Sequence, residues 1–477
     1  MDRPNVLLIC TDHWPAGLLG CAGHSHILTP TLDQLAANGV RFTNAYSTTP
    51  ICIPARRSLM TGTTAQTHGD RVFKEYEPMP AHLPTMPAIF GEAGYQCFAV
   101  GKLHVYPQRD RIGFDDVILY EEGRHHLDNL RDDYERYLET QGFTGQELTH
   151  GMGNNVYTTR PWHLPEHCHP TNWTVREMSR VIQRRDPTRP AFWYCSFATP
   201  HPPVTPPLPY WEMYRQLGVP EPVCADWATN FADWPYALQA RYHAWHGMSA
   251  AETELALQGF YAQCTYIDHQ MRLLIGTLQE EGLLDNTILM FTSDHGDMLG
   301  QHGLWSKPPL FDGAANVPLI LVPVAGDERV GHHRTDDRLA CLRDIMPTLL
   351  ELCDIPCPET VEGISLVGAA QRDHLYAEVF ENDRSIRMVR DERYKLIWYP
   401  VGNRCQLFDM VEDPLEMVDL ADRPEMADIR ARLSELLVNH CYGTDLAWIS
   451  DGRLTGEADR PFERPPVRGL LGQRGWR

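Results

Sequence analysis

Residues 5–13 of the chain read Asn-Val-Leu-Leu-Ile-Cys-Thr-Asp-His, a short apolar run that ends in the polar pair Asp12 and His13. A run of this kind is typical of a strand buried on both faces, as in the parallel sheet of an α/β protein. In such folds, ligands bind at the carboxyl ends of the strands. The stretch therefore predicts a parallel sheet and places a polar site at one edge of it.

The same pattern recurs along the chain. Further strands are predicted at residues 96–100, 191–197, 287–292 and 318–322, and helices at residues 31–38, 54–60, 251–281 and 342–353. Polar residues again follow the strands: Lys102 and His104, His201, and Asp294 and His295. We therefore predict an α/β fold with a large, mostly parallel sheet sandwiched by helices.

The pattern changes at about residue 373, where the predicted strands become short and closely spaced. They lie at residues 374–380, 385–389, 394–399 and 405–409, and a helix follows at residues 424–440. Hairpin spacing of this kind predicts a small C-terminal antiparallel sheet with a packed helix. The expected domains are a main domain at 1–370, an α+β subdomain at 371–445 and an irregular tail at 446–477.

Three segments lie outside this alternation of strands and helices. Residues 123–175 and 206–246 look like insertions, and they carry Trp162, Trp173, Trp211, Trp227, Trp234 and Trp245. These rings either form an aromatic lid over a pocket or pack the insertions onto the body. The tail contains Leu470, Leu471 and Trp476, which favours an arm that crosses onto another subunit of a homo-oligomer over a disordered end.

Composition excludes some functions. The chain has 477 residues and a formal net charge of −21, which argues against a general nucleic-acid binder. We find neither a signal sequence nor an apolar run long enough to span a bilayer, and we expect no membrane partner. The 13 cysteines are odd in number and without a CxxC pair, which suits a reducing compartment. We therefore expect a cytoplasmic protein.

The pentapeptide Cys52-Ile-Pro-Ala-Arg56 is the strongest local signal of chemistry. Pro54 is well placed to begin a helix, so Cys52 would lie at a helix N-terminus. Backbone N–H groups and the helix dipole favour bound anions there. Beside Arg56, an unmodified Cys52 is also a candidate for a thiolate of low pKa.

The C-x-P-x-R pattern resembles the modification motif of the type I sulfatases, which are formylglycine-dependent members of the alkaline phosphatase superfamily. Residues 292–307, the Gly-Lys-Leu-His at 101–104 and the Pro-His-Pro-Pro at 200–203 resemble further motifs of that family. The resemblance covers residues 5 to about 422. The fourth motif position usually holds Ser, and Ala55 is a departure that some relatives share.

The resemblance implies a chemistry for Cys52. In the family this Cys is oxidised to formylglycine by a formylglycine-generating enzyme, and the hydrated aldehyde attacks the sulfur of a sulfate ester. It also implies one divalent metal ion, Ca²⁺ or Mn²⁺, with Asp12, Asp294 and His295 as ligands. His13 stands where the family usually supplies an oxygen. It is either a ligand that favours a transition metal or a nearby hydrogen-bonding group, and Asp297 is expected to support the site.

The remaining candidates are cations and proton carriers. By motif position, Arg56, Lys102 and Lys307 are expected to stabilise the charge on the sulfuryl oxygens. His201 is expected to protonate the leaving oxygen, and His104 to act as a base on the formylglycine hydroxyl. For His68 and His302 two roles remain open, direct contact at the site and a structural role around it.

Three functions remain open from the sequence. The first is hydrolysis of a small-molecule sulfate monoester by a formylglycine-dependent arylsulfatase-like hydrolase. The second is hydrolysis of a phosphonate monoester or a phosphodiester, which similar enzymes of the superfamily perform. The third is a non-catalytic protein that binds a metal and an anion through an unmodified Cys52.

Overall fold

The computed structural model of the protein describes residues 3–124, 127, 130–245 and 248–463. The proposed arm with Leu470, Leu471 and Trp476 lies outside the described residues. The strands are β1 Asn5–Asp12, β2 Val40–Tyr46, β3 Gln96–Gly101, β4 Asp116–Leu119, β5 Ala191–Pro200, β6 Thr287–Ser293, β7 Leu319–Val322, β8 Arg334–Cys341, β9 Leu375–Val379, β10 Ile386–Arg390, β11 Tyr394–Tyr399, β12 Arg404–Asp409, β13 Ile449–Ser450 and β14 Arg453–Leu454. The α-helices are α1 Pro30–Ala37, α2 Cys52–Thr61, α3 Ala65–His68, α4 Met86–Glu92, α5 Asp133–Thr140, α6 Pro170–Gln183, α7 Leu208–Leu217, α8 Tyr236–Trp245, α9 Ala250–Glu280, α10 Asp312–Ala315, α11 Ile345–Leu352 and α12 Ala427–His440.

One large sheet forms the centre of the molecule. Within the described residues its eight strands follow the order β4-β3-β5-β1-β6-β7-β2-β8. β7 runs antiparallel to both of its neighbours, and every other neighbouring pair is parallel. The predicted mostly parallel sheet is therefore confirmed, and β1 lies near its middle.

Helices cover both faces of this sheet. Val6 and Leu8 of β1 pack on the face covered by α2, α4 and α11, whereas Leu7 and Ile9 pack on the face covered by α1, α6 and α9. All four side chains are buried because successive strand residues point to opposite faces and both faces are covered. Each such side chain contributes roughly 1.5–3 kcal/mol relative to exposure. The apolar run at residues 5–10 is explained by this burial.

The small C-terminal sheet has the antiparallel order β12-β11-β10-β9. Met388 and Ile397 pack in a buried apolar cluster that also contains residues from the loops of the large sheet. Val389 and Leu396 pack on the other face, against α12. The sheet therefore links α12 to the large domain, and the predicted antiparallel sheet with a packed helix is confirmed. Among the described helices, none combines the length and the apolarity needed to cross a bilayer.

Several local predictions need correction. The sequence pattern does not predict β2, β4 and β8: β4 has four residues, and β4 and β8 are edge strands. Edge strands tolerate charged residues, and four of the first five residues of β8 are charged, the exception being Thr335. Helix α2 begins at Cys52 itself, and a 3₁₀ turn at Leu342–Asp344 precedes α11. The predicted irregular tail at 446–477 contains some regular structure, because β13 and β14 form a short hairpin.

The tryptophans of the two insertions serve mostly in packing. Trp173 and Trp234 are buried, and the ring of Trp227 stacks on Phe311 at 5.3 Å. Trp162 is half-buried and lines a small cavity beside His201. The side chain of Trp245 lies outside the described part of the chain.

Candidate active site

The predicted site residues meet at the carboxyl edge of the large sheet. Asp12 ends β1, and Asp294 and His295 follow β6, which pairs with β1 in parallel. Cys52 opens α2 against the same edge. One potential ligand atom from each of these four residues lies within 4.8 Å of the others, and all four are buried. The fold therefore brings together the candidates that the sequence places about 280 residues apart.

Cys52 lies at the centre of this cluster. Its Sγ is 2.8 Å from Lys307 Nζ, 3.3 Å from His295 Nε2 and 3.7 Å from Asp12 Oδ1. Burial and the charge of Asp12 raise the pKa of the Cys52 thiol to about 11. The hypothesis of a low-pKa thiolate is therefore wrong, because desolvation and a neighbouring carboxylate both favour the neutral thiol.

Arg56 does not face an open space as expected for a sulfuryl ligand. Its Nε donates to Asp294 Oδ2 at 2.9 Å, and one terminal nitrogen donates to Asp12 Oδ2 at 3.3 Å. The other terminal nitrogen donates to Ser196 Oγ and to the backbone oxygen of Lys102, both at 2.9 Å. The guanidinium therefore holds the two carboxylates in place, and this geometry replaces the expected role on substrate.

Two lysines bring positive charge to the cluster. Lys102 Nζ donates to Asp12 Oδ2 at 2.6 Å and to Glu122 Oε2 at 2.7 Å. Burial alone would lower the pKa of Lys102, but the charges of Asp12 and Glu122 raise it to about 12. Lys307 Nζ lies 2.6 Å from His13 Nε2, next to Cys52. Lys307 therefore contacts Cys52 directly, and Lys102 contacts the neighbouring Asp12.

His13 is held in a defined orientation. Its Nδ1 donates a hydrogen bond to Asp297 Oδ2 at 2.7 Å, so the lone pair of Nε2 faces Lys307 Nζ in the site. Burial and the charge of Lys307 hold the pKa of His13 well below its usual range. One potential ligand atom each of His13, Asp12 and His201 lies within 4.8 Å of the others. Because Nε2 accepts from the Lys307 ammonium here, a metal ion bound through Nε2 would take the place of that hydrogen bond.

Asp297 organises the loop that follows β6. Its Oδ1 accepts the backbone N–H of Leu299 at 2.9 Å and of Ser306 at 2.8 Å. Its Oδ2 accepts from His13 and from the hydroxyl of Tyr157. Asp297 therefore supports the site from behind, as the sequence predicts.

His104 and His201 lie on the loops that follow β3 and β5. His104 is buried, yet neither of its ring nitrogens has a hydrogen-bond partner among the described residues. His201 Nδ1 donates to the backbone oxygen of Pro202 at 2.6 Å and lies 3.7 Å from Glu122 Oε1. Burial lowers the pKa of His201 to about 4. Buried nitrogens without partners are costly, which is consistent with a ligand at His104.

His68 and His302 do not reach the cluster. His68 Nε2 lies 3.0 Å from Ser58 Oγ on α2. His302 Nδ1 accepts the backbone N–H of Ala225 at 3.3 Å, and its Nε2 lies 3.1 Å from the backbone oxygen of Leu415. Both imidazoles therefore hold loops in place.

Sequence reasoning misses Glu122, Tyr157 and Ser196. Glu122 follows β4, so recognition of that strand would have placed this acid at the same sheet edge. Tyr157 comes from the insertion at 123–175, and no pattern in the sequence relates it to Asp297. Ser196 lies inside β5, where a single hydroxyl gives no signal.

The donor set fits a divalent cation. Asp12 Oδ1 and Asp294 Oδ1 lie 3.5 Å and 3.6 Å from His295 Nε2. Burial and the charge of Asp12 raise the pKa of Asp294 to about 7, because two carboxylates lie close together with little access to water. A cation bound between them would relieve this repulsion, and carboxylate and imidazole groups are ligands for such ions.

Comparison with known proteins identifies the family. A family model described as Sulfatase matches residues 4–355, and one described as N-sulphoglucosamine sulphohydrolase, C-terminal, matches residues 300–441. The chain is 32% identical to an arylsulfatase of Clostridium perfringens, over 95% of this chain and 97% of that protein. It is 28% identical to a choline-sulfatase of Rhizobium meliloti, over 88% of this chain and 83% of that protein.

Solved structures share the fold. A phosphonate monoester hydrolase of Agrobacterium radiobacter superposes with a TM-score of 0.78 at 24% identity, over 96% of this chain and all of that one. A 2-O glycosaminoglycan sulfatase superposes with a TM-score of 0.74 at 21% identity, over 98% of this chain and all of that one. Because the family model spans most of the chain and the site residues converge as described, the chain belongs to the sulfatase family of sulfuric ester hydrolases.

Proposed function

We propose that the protein hydrolyses small-molecule sulfate monoesters through a formylglycine formed from Cys52. The observation that carries the proposal is the position of Cys52 at the N-terminus of α2, 2.8 Å from Lys307 Nζ and beside two buried carboxylates. An anionic group bound there meets backbone N–H groups and two lysines. The relatives named arylsulfatase and choline-sulfatase support a sulfate ester as the substrate.

One divalent metal ion completes the proposed site. We assign Asp12, Asp294, His295 and His13 as the residues that hold it. Calcium prefers oxygen ligands, whereas imidazole suits Mn²⁺ and other transition metals. With His13 oriented by Asp297 at 2.7 Å, the site favours Mn²⁺ or another transition metal over Ca²⁺. When bound, the metal supplies Lewis acidity to the nucleophilic hydroxyl.

The remaining residues have separate tasks. Once formed from Cys52, formylglycine would supply a hydrated aldehyde as the nucleophile towards sulfur. Lys102 and Lys307 stabilise the charge on the sulfuryl oxygens, since both ammonium groups face the cluster. His201 would hand a proton to the oxygen of the leaving alcohol once the negative charge of bound substrate raises its pKa from about 4, and the ring nitrogens of His104, which have no partner among the described residues, would take the proton of the second hydroxyl as sulfate departs. Arg56 positions Asp12 and Asp294.

Hydrolysis of phosphonate monoesters is the second candidate. The superposition on the phosphonate monoester hydrolase of Agrobacterium radiobacter favours it, because that enzyme has the same fold along nearly the whole chain. Phosphonate and sulfate monoesters also offer similar tetrahedral anions to the two lysines. The fold alone does not separate the two reactions.

Matched substrates separate the two candidates. Turnover of 4-nitrophenyl sulfate and of 4-nitrophenyl phenylphosphonate is measured on protein whose formylglycine content is known from mass spectrometry of the Cys52 peptide. A higher kcat/KM for the sulfate confirms the proposal, and a higher value for the phosphonate moves the protein to the second candidate. Turnover of neither by fully converted, metal-loaded protein points to a non-catalytic protein.

Several further features of the proposal rest on the sequence. We propose a cytoplasmic location and modification by a formylglycine-generating enzyme. We also propose a catalytic domain at 1–370, a small subdomain at 371–445 and a tail that takes part in homo-oligomers. Peptide mass mapping of protein from fractionated cells, together with sedimentation of full-length and tail-truncated chains, tests these features.

A further inference from the structure

A cavity of about 560 Å³ lies outside the Cys52 cluster and has no part in the proposed hydrolysis. Residues of β2, α9 and β10 line it, together with the loops that follow β1, β6 and β12. Within the described part of the chain, none of the four residues of the cluster lines it. Cavities of roughly 300–1,000 Å³ hold small organic ligands in proteins. This cavity is therefore large enough for a ligand of its own.

Part of the lining is apolar and comes from a single buried cluster. Leu257 and Tyr261 are four residues apart on α9 and therefore lie on the same face of that helix. Leu18 and Leu299 come from the loops that follow β1 and β6. All four residues are buried and belong to the apolar cluster that covers one face of the large sheet. This apolar lining suits the hydrocarbon part of a ligand.

Strand β2 adds a polar lining, although it is an interior strand of the sheet. Arg41 and Thr43 both line the cavity, because alternate residues of a strand point to the same face. Asn44 joins them after a register shift that interrupts the pairing of β2 with β8. The guanidinium of Arg41 makes no hydrogen bond or ion pair with the residues that the structure describes. An ion pair within the fold therefore does not explain this arginine.

Arg390 on β10 brings a buried cation to the same cavity. It is 3% exposed, and its Nη2 donates to Asn44 Oδ1 at 2.9 Å. Its Nε and Nη1 have no hydrogen-bond partner among the described residues. Asp312 Oδ2 lies 3.9 Å from Nη1, which is too far for a hydrogen bond, and burial lowers the pKa of Arg390 to about 10. A buried cation with unpaired donors is costly, and a bound anion would remove that cost.

Carboxylates in the lining limit the charge of the ligand. Asp312 and Glu416 line the cavity, but both pair with Lys395 Nζ at 2.6 Å. Glu221 also lines it and is exposed to solvent. The positive charge that remains for a ligand therefore belongs to the two arginines of the lining. A ligand with one negative charge meets them with little repulsion from these acids, whereas a doubly charged ligand is repelled more strongly.

From these features we infer that the cavity binds a small organic anion, a carboxylate with an apolar body. Arg390 and Arg41 hold the carboxylate, since a guanidinium donates strong hydrogen bonds to such a group. The apolar body lies against the apolar lining from α9 and from the loops after β1 and β6. The inference is independent of the proposed sulfate ester hydrolysis, because the residues of the Cys52 cluster take no part in it.

Titration calorimetry on the full-length protein tests the inference with 2-naphthoate, which joins one carboxylate to an apolar ring system. We expect 2-naphthoate to bind, and its uncharged counterpart 2-naphthamide to bind much more weakly. Arg390→Met should raise the Kd of 2-naphthoate at least about tenfold, since hydrogen bonds to a charged group are lost. Arg41→Met should raise it as well. Arg393→Met is the matched control, because Arg393 pairs with Asp409 and does not line this cavity.

Gly17→Leu tests the cavity without changing a charge. Gly17 lines the cavity, and a Cβ added there meets no atom within 4 Å, so the larger side chain occupies free space without a clash. This variant should also raise the Kd of 2-naphthoate. Because Arg390 is buried, melting temperatures check that its variant is folded. Arg41 and Gly17 are less buried, so their variants decide the matter if Arg390→Met does not fold.

Several outcomes would overturn the inference. They are no binding of 2-naphthoate, equal binding of 2-naphthamide, and a Kd of 2-naphthoate that is the same in all three cavity variants as in the unchanged protein. An unchanged Kd together with competitive inhibition of 4-nitrophenyl sulfate turnover would place 2-naphthoate at the Cys52 cluster instead. Displacement of 2-naphthoate by an equal concentration of inorganic sulfate would show that the ligand class is wrong. Each of these results leaves the proposed sulfate hydrolysis intact.

Discussion

Cys52 shows how environment changes the chemistry of one residue. Burial and the charge of Asp12 raise the pKa of the Cys52 thiol to about 11, so the neutral thiol is favoured at pH 7. The unmodified residue is therefore a poor nucleophile, although it lies at a helix N-terminus that favours anions. Conversion to formylglycine bypasses this limit, because a hydrated aldehyde does not need a thiolate.

The first prediction concerns the nucleophile. Cys52→Ala should lower kcat for 4-nitrophenyl sulfate by at least about 10³-fold, since the covalent step has no other nucleophile. The melting temperature should change little, because the change removes one sulfur atom from a polar cluster. Steady-state kinetics and differential scanning calorimetry measure the two effects. Retained turnover would show that the covalent mechanism is wrong.

Several residues at the site that are not glycine have a positive backbone φ angle. His13, His104, Glu122 and Ser306 have φ values of 76°, 59°, 56° and 63°. Residues with a side chain pay about 1–2 kcal/mol for this left-handed region. Such residues cluster where a site fixes side-chain directions, and here the four come from four loops, which follow β1, β3, β4 and β6. The hydrogen bonds of Asp297 and Glu121 offset part of this cost by holding the loops at Ser306 and His104.

The second prediction concerns His13 and the metal. His13→Asp restores an oxygen at this position and should shift the bound ion from Mn²⁺ towards Ca²⁺. The ratio of the two metals is measured by plasma mass spectrometry after dialysis against an equimolar mixture. Asp297→Asn is the companion variant, since it weakens the bond that orients His13 and should lower Mn²⁺ affinity about 10–100-fold. An unchanged metal ratio in both variants removes His13 from the ligand set.

At the scale of elements, a side chain of the long helix α9 accepts hydrogen bonds from the first turn of α1. The carboxylate of Asp268, buried on α9, accepts the backbone N–H of Thr31 at 3.0 Å and of Leu32 at 2.8 Å. These are two of the N–H groups that a helix leaves unpaired at its first turn. Because Thr29 makes no side-chain cap there, α1 depends on a residue 236 positions away from Leu32.

The third prediction follows from the titration of Asp268. Burial raises its pKa from 3.8 to about 6, against the opposing effect of the two N–H groups. A carboxyl whose pKa is raised on folding stabilises the native state fully below pH 4 and loses this contribution as pH rises to about 6. We therefore expect the difference in the free energy of unfolding between the unchanged protein and the Asp268→Asn variant to fall between pH 4 and pH 6. Above pH 6 this difference should stay level. Urea titrations at several pH values measure the difference, and a difference that rises over this window would contradict the burial argument.

At the scale of the whole molecule, buried charges link the small sheet to the large domain. Lys395 on β11 donates to Asp312 Oδ1 and lies beside Glu416 Oε1, each at 2.6 Å. Glu416 also accepts the backbone N–H of Asp312 at 2.8 Å. Lys395 and Glu416 are buried, so water cannot replace either partner.

The fourth prediction tests this link. Lys395→Met keeps most of the side-chain volume but leaves two carboxylates without their cation, and it should destabilise the protein by about 3–5 kcal/mol. Chemical denaturation followed by tryptophan fluorescence measures the loss. Arg393→Met is the control, because its pair with Asp409 is more exposed and should cost at most about 1 kcal/mol. Equal losses in the two variants would show that burial does not determine the strength of this link.

Much of the fold is accessible from sequence because it depends on local patterns. The strands β1, β3, β5 and β6 are visible because burial on both faces demands a continuous apolar run. The edge strands β4 and β8 are not visible, because water reaches one side of them and charged residues are tolerated. β2 is interior but carries polar residues at three of its seven positions, Arg41, Thr43 and Asn44, which interrupt the apolar pattern.

The sequence by itself determined the fold class, the family motifs and the polar residues at the strand ends, since each of these depends on residues close together in the chain. The tertiary structure alone decided which partners those residues meet. Arg56 pairs with Asp294, and Lys102 pairs with Glu122. His13 is hydrogen-bonded to Asp297, which lies 284 positions away in the sequence. The physical reason is that a buried charge or hydrogen-bonding group must find a partner in space, and which residue lies within about 3 Å of it depends on how distant segments pack.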